Sequence, residues 1–202
     1  MKIRHLSRPF YHTIIDNFYE EEELKKVTLE IEKLNHFDLQ CLSPTSDRHH
    51  TMLFSDFHTE SFCLDQIYGK EDYKSVIMNV SKKLYNLELE KDSHKNPFLG
   101  YIPHIDKDTF FIQKYSNGSF YPIHQDESVF TFLCVIEVQS HKGGELFFSK
   151  HRYTPRLKNN MGLIFPGYEL HEVKQIKSKH SGYLRYSINQ RVGLKPIMEY
   201  GK

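Results

Sequence analysis

The residues of this chain best suited to chemistry are His124-Gln125-Asp126 and, 45 positions after the aspartate, His171. Two imidazoles and one carboxylate can hold Fe(II) on one face of an octahedron, leaving the opposite three positions for a co-substrate and O2. Residues two apart in a strand project to the same side, so His124 and Asp126 are expected to grip one ion together. The third ligand must then arrive from a distant strand of the same barrel. An H-x-D triplet alone says little in a chain with 13 histidines, and His104-Ile105-Asp106 is a second copy of it.

The setting separates the two triplets. Residues 111–126 read as a strand, an Asn117-Gly118 turn and a second strand ending in the candidate ligands. Thr131–Ile136 is a continuous apolar run of the buried-strand kind, followed by a Gly143-Gly144 turn and a strand over Glu145–Phe148. Further strands are expected over Gly162–Pro166, Tyr168–Val173 and Tyr183–Asn189. The second triplet is followed at once by Lys107-Asp108, read as a charged turn before the first strand.

Several of these elements occur together in a fixed order: Tyr115, Tyr121-Pro122-x-His124-x-Asp126, Thr131-Phe132-Leu133, Gly143-Gly144-Glu145-Leu146, Gly162-Leu163-Ile164-Phe165, His171 and Arg185-x-Ser187. From about Phe111 to Val192 the chain resembles the catalytic core of the 2-oxoglutarate- and Fe(II)-dependent dioxygenases, most of all their prolyl 4-hydroxylase-type branch. The first 100 residues match loosely, through Ile14-Ile-Asp-Asn-Phe18 and an acidic helix start. The resemblance implies Fe(II) on His124, Asp126 and His171, with 2-oxoglutarate as co-substrate, O2 as oxidant and ascorbate as a further reductant. It also implies that Arg185 and Ser187 hold the far carboxylate of 2-oxoglutarate, with Tyr115 and Thr131 as further co-substrate contacts. Arginine suits that task because its charged fork matches a carboxylate. Two departures stand out. Val135 occupies a position where the family often has a tyrosine, and Arg185 follows His171 by fourteen residues, more than is usual, with Ser178–Gly182 lengthening the turn. Arg191 shares the parity of Arg185. Lys174, Lys177 and Lys179 read as solvated turn charges.

Composition bounds the rest. With 202 residues the chain is read as a single domain, 1–110 forming helical and strand support and 111–192 the catalytic core. The expected fold is mostly β with flanking helices: a double-stranded β-helix of jelly-roll type with the N-terminal helices packed outside. A net charge of +1 gives no general case for nucleic acid or an anionic membrane. The three cysteines, Cys41, Cys63 and Cys134, form no disulfide or zinc framework, and Cys134 reads as a small buried hydrophobe. No run approaches 18 apolar residues and the N-terminus has no apolar signal region, so a cytoplasmic protein is expected.

Toward the N-terminus, 10–18 reads as a strand and 20–35 as a helix with Leu24, Val27, Ile31 and Leu34 inward. A second helix is expected over 71–86, burying Tyr73, Val76, Ile77, Val80 and Leu84, with 87–110 irregular. The stretch Leu42–Thr51, with Pro44, Arg48, His49 and His50, is turn-rich; the resemblance to prolyl hydroxylase-type enzymes implies a lid over bound substrate, and a plain connector is the alternative. The oxygenase reading implies a prolyl or other aminoacyl substrate in a peptide or protein, or a free amino acid. A cupin-like metal- or ligand-binding jelly roll without oxygenase activity is the alternative; it would carry more histidines at the metal and no Arg-x-Ser strand. A catalytically silent interaction protein would lack a ligand, and none is lacking. Halogenation needs a small residue where Asp126 stands.

Overall fold

The apolar runs of the C-terminal half become strands buried on both faces. The structure, a computed structural model, describes residues 1–35, 59–69 and 71–194. Seven strands, β1 (Lys2–Leu6), β2 (His12–Asp16), β3 (Thr59–Cys63), β4 (Ile105–Ser116), β6 (Phe130–Glu137), β8 (Met161–Pro166) and β10 (Tyr183–Leu194), form an antiparallel sheet ordered β1-β2-β8-β6-β10-β4-β3. The remaining three, β5 (Tyr121–His124), β7 (Leu146–Phe148) and β9 (His171–Val173), form a smaller sheet ordered β5-β9-β7. Together they make the expected double-stranded β-helix.

Side-chain alternation sorts the large sheet into two interiors. Phe130, Phe132, Cys134, Ile136, Ile164, Ile188 and Val192 face outward and pack with Val27, Ile31 and Leu34 of α1 (Glu21–Asn35), Leu64 of α2 (Leu64–Tyr68) and Ile77 of α3 (Val76–Ser81). Leu133, Val135, Leu163 and Phe165 face inward, onto Leu146, Phe148 and Val173 of the small sheet. Gly162 lets the Phe132 ring lie flat on β8, because a Cβ there would sit 2.5 Å from Phe132 Cε2. Buried aromatic and aliphatic groups of this kind supply most of the driving force for folding.

The N-terminal part differs from its sequence reading at several points. Strand 10–18 is confined to His12–Asp16, and β1 and β3 were not anticipated. The helix over 71–86 is broken into a 3-10 turn (Asp72–Lys74), α3 and a second 3-10 stretch (Lys82–Asn86), and Tyr73 lies 65% exposed rather than buried. The break has a cause: the buried carboxylate of Glu30 accepts from Ser75 Oγ at 2.7 Å and from the Ile77 amide at 2.8 Å, and the Ser75 side chain caps Met78 N. These bonds fix the helix start after Ser75. Residues 87–110 are not simply irregular, since 3-10 helices run over Leu89–Asp92 and Pro97–His104 and β4 begins at Ile105. Lys107-Asp108 therefore belongs to a strand rather than a turn, and the division at 110/111 falls inside β4. Tyr168 precedes β9 in an exposed turn. Cys41 and the stretch Leu42–Thr51 lie outside the described residues.

Candidate metal centre

His124 and His171 are cross-strand partners on β5 and β9, with ring centroids 4.1 Å apart. A bulge between Tyr121 and His124 lets both aim inward although they are three residues apart. Each imidazole is oriented by the main chain two residues before it. His124 Nδ1 lies 2.8 Å from the Pro122 carbonyl and His171 Nδ1 2.8 Å from the Glu169 carbonyl. A carbonyl only accepts, so Nδ1 carries the proton in both rings and Nε2 keeps its lone pair for an ion. Burial pushes the His124 pKa down to about 4, helped by neighbouring His171, and burial lowers that of His171 as well. Both rings are thereby kept in the neutral form a metal requires.

Asp126 reaches the same point by a route that strand parity does not describe. β5 ends at His124, and Asp126 lies beyond it, held where its amide donates to the Gly167 carbonyl at 2.8 Å. A Cβ on Gly167 would sit 2.3 Å from the Ser128 carbonyl, so this close approach requires glycine. Thr131 Oγ1 donates to Asp126 Oδ2 at 2.6 Å, and Arg191 Nη2 lies 2.7 Å from Oδ1. Thr131 and Arg191 are opposed on β6 and β10, so a cross-strand pair clamps the carboxylate. Burial alone would raise the pKa of Asp126, but Arg191 and the two imidazoles bring it below the usual value.

The set passes a direct test of fit to a divalent ion. One ligand atom from each of the three residues lies within 4.8 Å of the others, with 3.7 Å from each histidine Nε2 to Asp126. Asp126 Oδ1 lies 3.7 Å from His124 Nε2 and Oδ2 lies 3.7 Å from His171 Nε2, so the carboxylate faces both lone-pair nitrogens. Among the described residues no other cluster of this kind occurs. His104, at the end of the Pro97–His104 3-10 helix, and Asp106, in β4, are both exposed and join no such group. A larger open hollow of about 630 Å³, beside Tyr85 and Ile102, contains none of the three residues.

Deeper in the barrel a polar ladder runs along β4 and β10. Gln113 Oε1 accepts from Tyr115 Oη at 2.9 Å, Ser187 Oγ at 3.1 Å and Asn189 Nδ2 at 3.1 Å. At its far end Arg185 is 3% exposed, with its guanidinium on the Tyr115 ring at 5.3 Å and Nη1 donating to the Gly144 carbonyl. A register shift between Tyr183 and Arg185 turns Leu184 and Arg185 into the same interior. Burial draws the Arg185 pKa down and pushes that of Tyr115 up to about 12, leaving a cation beside a neutral phenol. Val135, paired with Ser187, brings no hydroxyl to this level. Thr131 stands at the metal end of the barrel, on Asp126. Gln113 and Asn189 line the cavity around His124, Asp126 and His171, and neither was singled out in the sequence. Their spacing in sequence carries no signal, because the register of β4 against β10 is what joins them.

Similarity to known proteins enters through structure. No protein-family model matches the sequence and no curated protein matches it. A prolyl-4-hydroxylase of Pseudomonas putida superposes with a TM-score of 0.62 at 16% identity, over 91% of this chain and 92% of that one. The viral collagen prolyl hydroxylase of Paramecium bursaria Chlorella virus-1, in its 2-oxoglutarate complex, gives 0.57 at 16% identity, over 94% and 99%. The protein NgTET1 in complex with 5mC DNA gives 0.55 at 12% identity, over 91% and 72%. The fold is that of the 2-oxoglutarate/Fe(II) oxygenases. On this fold the His-Asp-His group sits at one end of the barrel and the Arg185-Ser187 ladder runs into its interior. No described helix is long and apolar enough to cross a membrane.

Proposed function

We propose that this protein is a 2-oxoglutarate- and Fe(II)-dependent oxygenase that hydroxylates an aminoacyl, prolyl-like group. The observation that carries the reading is the convergence of His124 Nε2, His171 Nε2 and the Asp126 carboxylate on one point of a barrel interior. When bound, iron with 2-oxoglutarate and O2 supplies oxidative decarboxylation to succinate and CO2 coupled to hydroxylation of the substrate. The chain's own residues do the positioning. Thr131 and Arg191 hold the Asp126 carboxylate, and the Pro122 and Glu169 carbonyls aim the imidazoles. Arg185, with Ser187 and Tyr115 beside it, offers a buried cationic end for the far carboxylate of the co-substrate. Leu133, Leu146 and Val173 wall the cavity and exclude water from it.

The aminoacyl substrate is supported by the prolyl hydroxylases among the structural neighbours and by a near-neutral chain that lacks the basic excess phosphate contacts require. The test is a 2-oxoglutarate decarboxylation assay against peptides, amino acids and nucleic acids, with Mn(II) titration as a separate readout of the metal. We expect one ion per chain and stimulation by an aminoacyl compound. Undiminished turnover by His171→Ala would overturn the site, and stimulation by DNA or RNA alone would overturn the substrate.

A further inference from the structure

Building on the oxygenase reading, we propose that Glu169 and His151 are positioning residues for the metal centre: their side-chain pair anchors the turn 167–169, on which both parts of the ligand set hang. The three successive main-chain carbonyls of that turn are all taken by the metal motif. Gly167 accepts from the Asp126 amide at 2.8 Å, Tyr168 from the Gln125 side chain, and Glu169 from the His171 ring at 2.8 Å. Asp126 and Gln125 follow β5, whereas His171 opens β9. The turn is therefore the piece of backbone that sets how far the carboxylate stands from the second imidazole.

The turn's own amides hold it weakly. Gly167 N donates to the Val129 carbonyl at a long 3.3 Å, and Glu169 N makes a local bond to the Pro166 carbonyl at 3.1 Å. Tyr168 between them is exposed. The Glu169 side chain, in contrast, is 3% exposed, and a carboxylate buried to that degree needs a partner. His151 Nε2 donates to its Oε2 at 2.8 Å. His151 ends the 3-10 turn Ser149–His151 that follows β7, and its ring lies 4.9 Å from the buried Phe10 ring. Ser149 N adds a bond to the Leu170 carbonyl at 3.2 Å. Aim and position are thus set by different groups. The Glu169 carbonyl decides which way the His171 ring points, and the Glu169 side chain decides where the turn bearing that carbonyl stands. Neither His151 nor Glu169 lines the cavity, so both can be changed with its lining intact.

The experiment measures Mn(II) affinity and the visible absorption of the Co(II)-loaded protein, with the melting temperature of each metal-free form alongside. His151→Phe keeps a ring beside Phe10 but cannot donate, and Glu169→Met fills the same space without a carboxylate. His151→Gln returns an N–H where Nε2 stood, and Glu169→Gln keeps an acceptor for His151. We expect His151→Phe and Glu169→Met each to weaken Mn(II) about ten-fold and to shift the Co(II) bands, the low end for groups that orient metal ligands. Both glutamine variants should retain wild-type affinity and spectrum. Phe132→Ala, which loosens the outer core, is the control and should leave both metal readouts unchanged. Wild-type affinity and spectrum in the two disruptive variants would overturn the inference, as would equal losses in His151→Phe and His151→Gln. It also falls if Phe132→Ala shifts the Co(II) bands in the same way, because general loosening would then account for both. A wild type that binds Mn(II) through His171 while His151→Phe changes nothing removes this inference alone; a wild type that binds no Mn(II) removes the metal site with it.

Discussion

The two faces of β10 serve opposite ends. Toward the helices the strand presents Tyr186, Ile188 and Val192, packed among Phe110, Ile112, Phe130 and Phe132. Toward the barrel it presents Arg185, Ser187, Asn189 and Arg191, bonded in turn to the Gly144 carbonyl, to Gln113 on β4 and to Asp126. Both faces are buried, so the difference is chemical rather than one of exposure. Apolar burial of about 25 cal/mol per Å2 makes the outer face the source of stability. Polar groups buried on the inner face contribute little net and are costly if a partner is lost. β10 thus separates holding the fold from doing chemistry, one on each face.

That separation can be broken at chosen points. His171→Ala should abolish succinate formation and Mn(II) binding while the far-ultraviolet circular dichroism stays native; a variant that unfolds would show that the metal end also holds the fold. Phe132→Ala should do the reverse. A fully buried Phe replaced by Ala costs about 3–5 kcal/mol, or roughly 10 °C in melting temperature for a chain of this size. Activity per folded molecule, measured well below the melt, should be retained.

Smaller effects sharpen the inner face. Arg185→Ala should weaken 2-oxoglutarate binding by about 2–3 kcal/mol, roughly 30- to 150-fold, with Mn(II) binding kept. Unaltered binding by calorimetry would move the co-substrate away from the closed end. Thr131→Val removes the donor to Asp126 Oδ2 and should weaken Mn(II) about ten-fold, the low end for partners of metal ligands. The smallest effect concerns His12, a buried ring between the Phe10 carbonyl at 2.9 Å and Tyr153 Oη at 3.0 Å. Burial lowers its pKa, so below about pH 6.5 the unfolded chain takes up the proton first and stability falls with pH. His12→Asn should flatten the melting temperature between pH 7 and 5; an unchanged slope would assign that dependence to other groups.

What the sequence revealed followed the same division. Strands buried on both sides, such as β6, read as unbroken apolar runs and were found directly. The ligand types were found too, although Asp126 is placed by Gly167 and Thr131 instead of by strand alternation. β1 and β3 escaped because Lys2–Leu6 and Thr59–Cys63 are polar edge strands whose pairing, not composition, makes them strands. The broken helix near Ser75 escaped because its start is set by Glu30, 45 residues earlier in the chain. Gln113 is silent in sequence for a related reason: its three donors converge on it through tertiary register.

The carbonyl that aims each ligand ring belongs to the residue two positions before it, and the same bond recurs at His12 with Phe10 and at His141 with Gln139. Main-chain oxygens survive every substitution, so the aim of the metal ligands does not depend on which side chains surround them. Descendants of this barrel can therefore exchange the lining of the mouth, and with it the molecule they accept, without re-solving the problem of pointing two imidazoles at an ion.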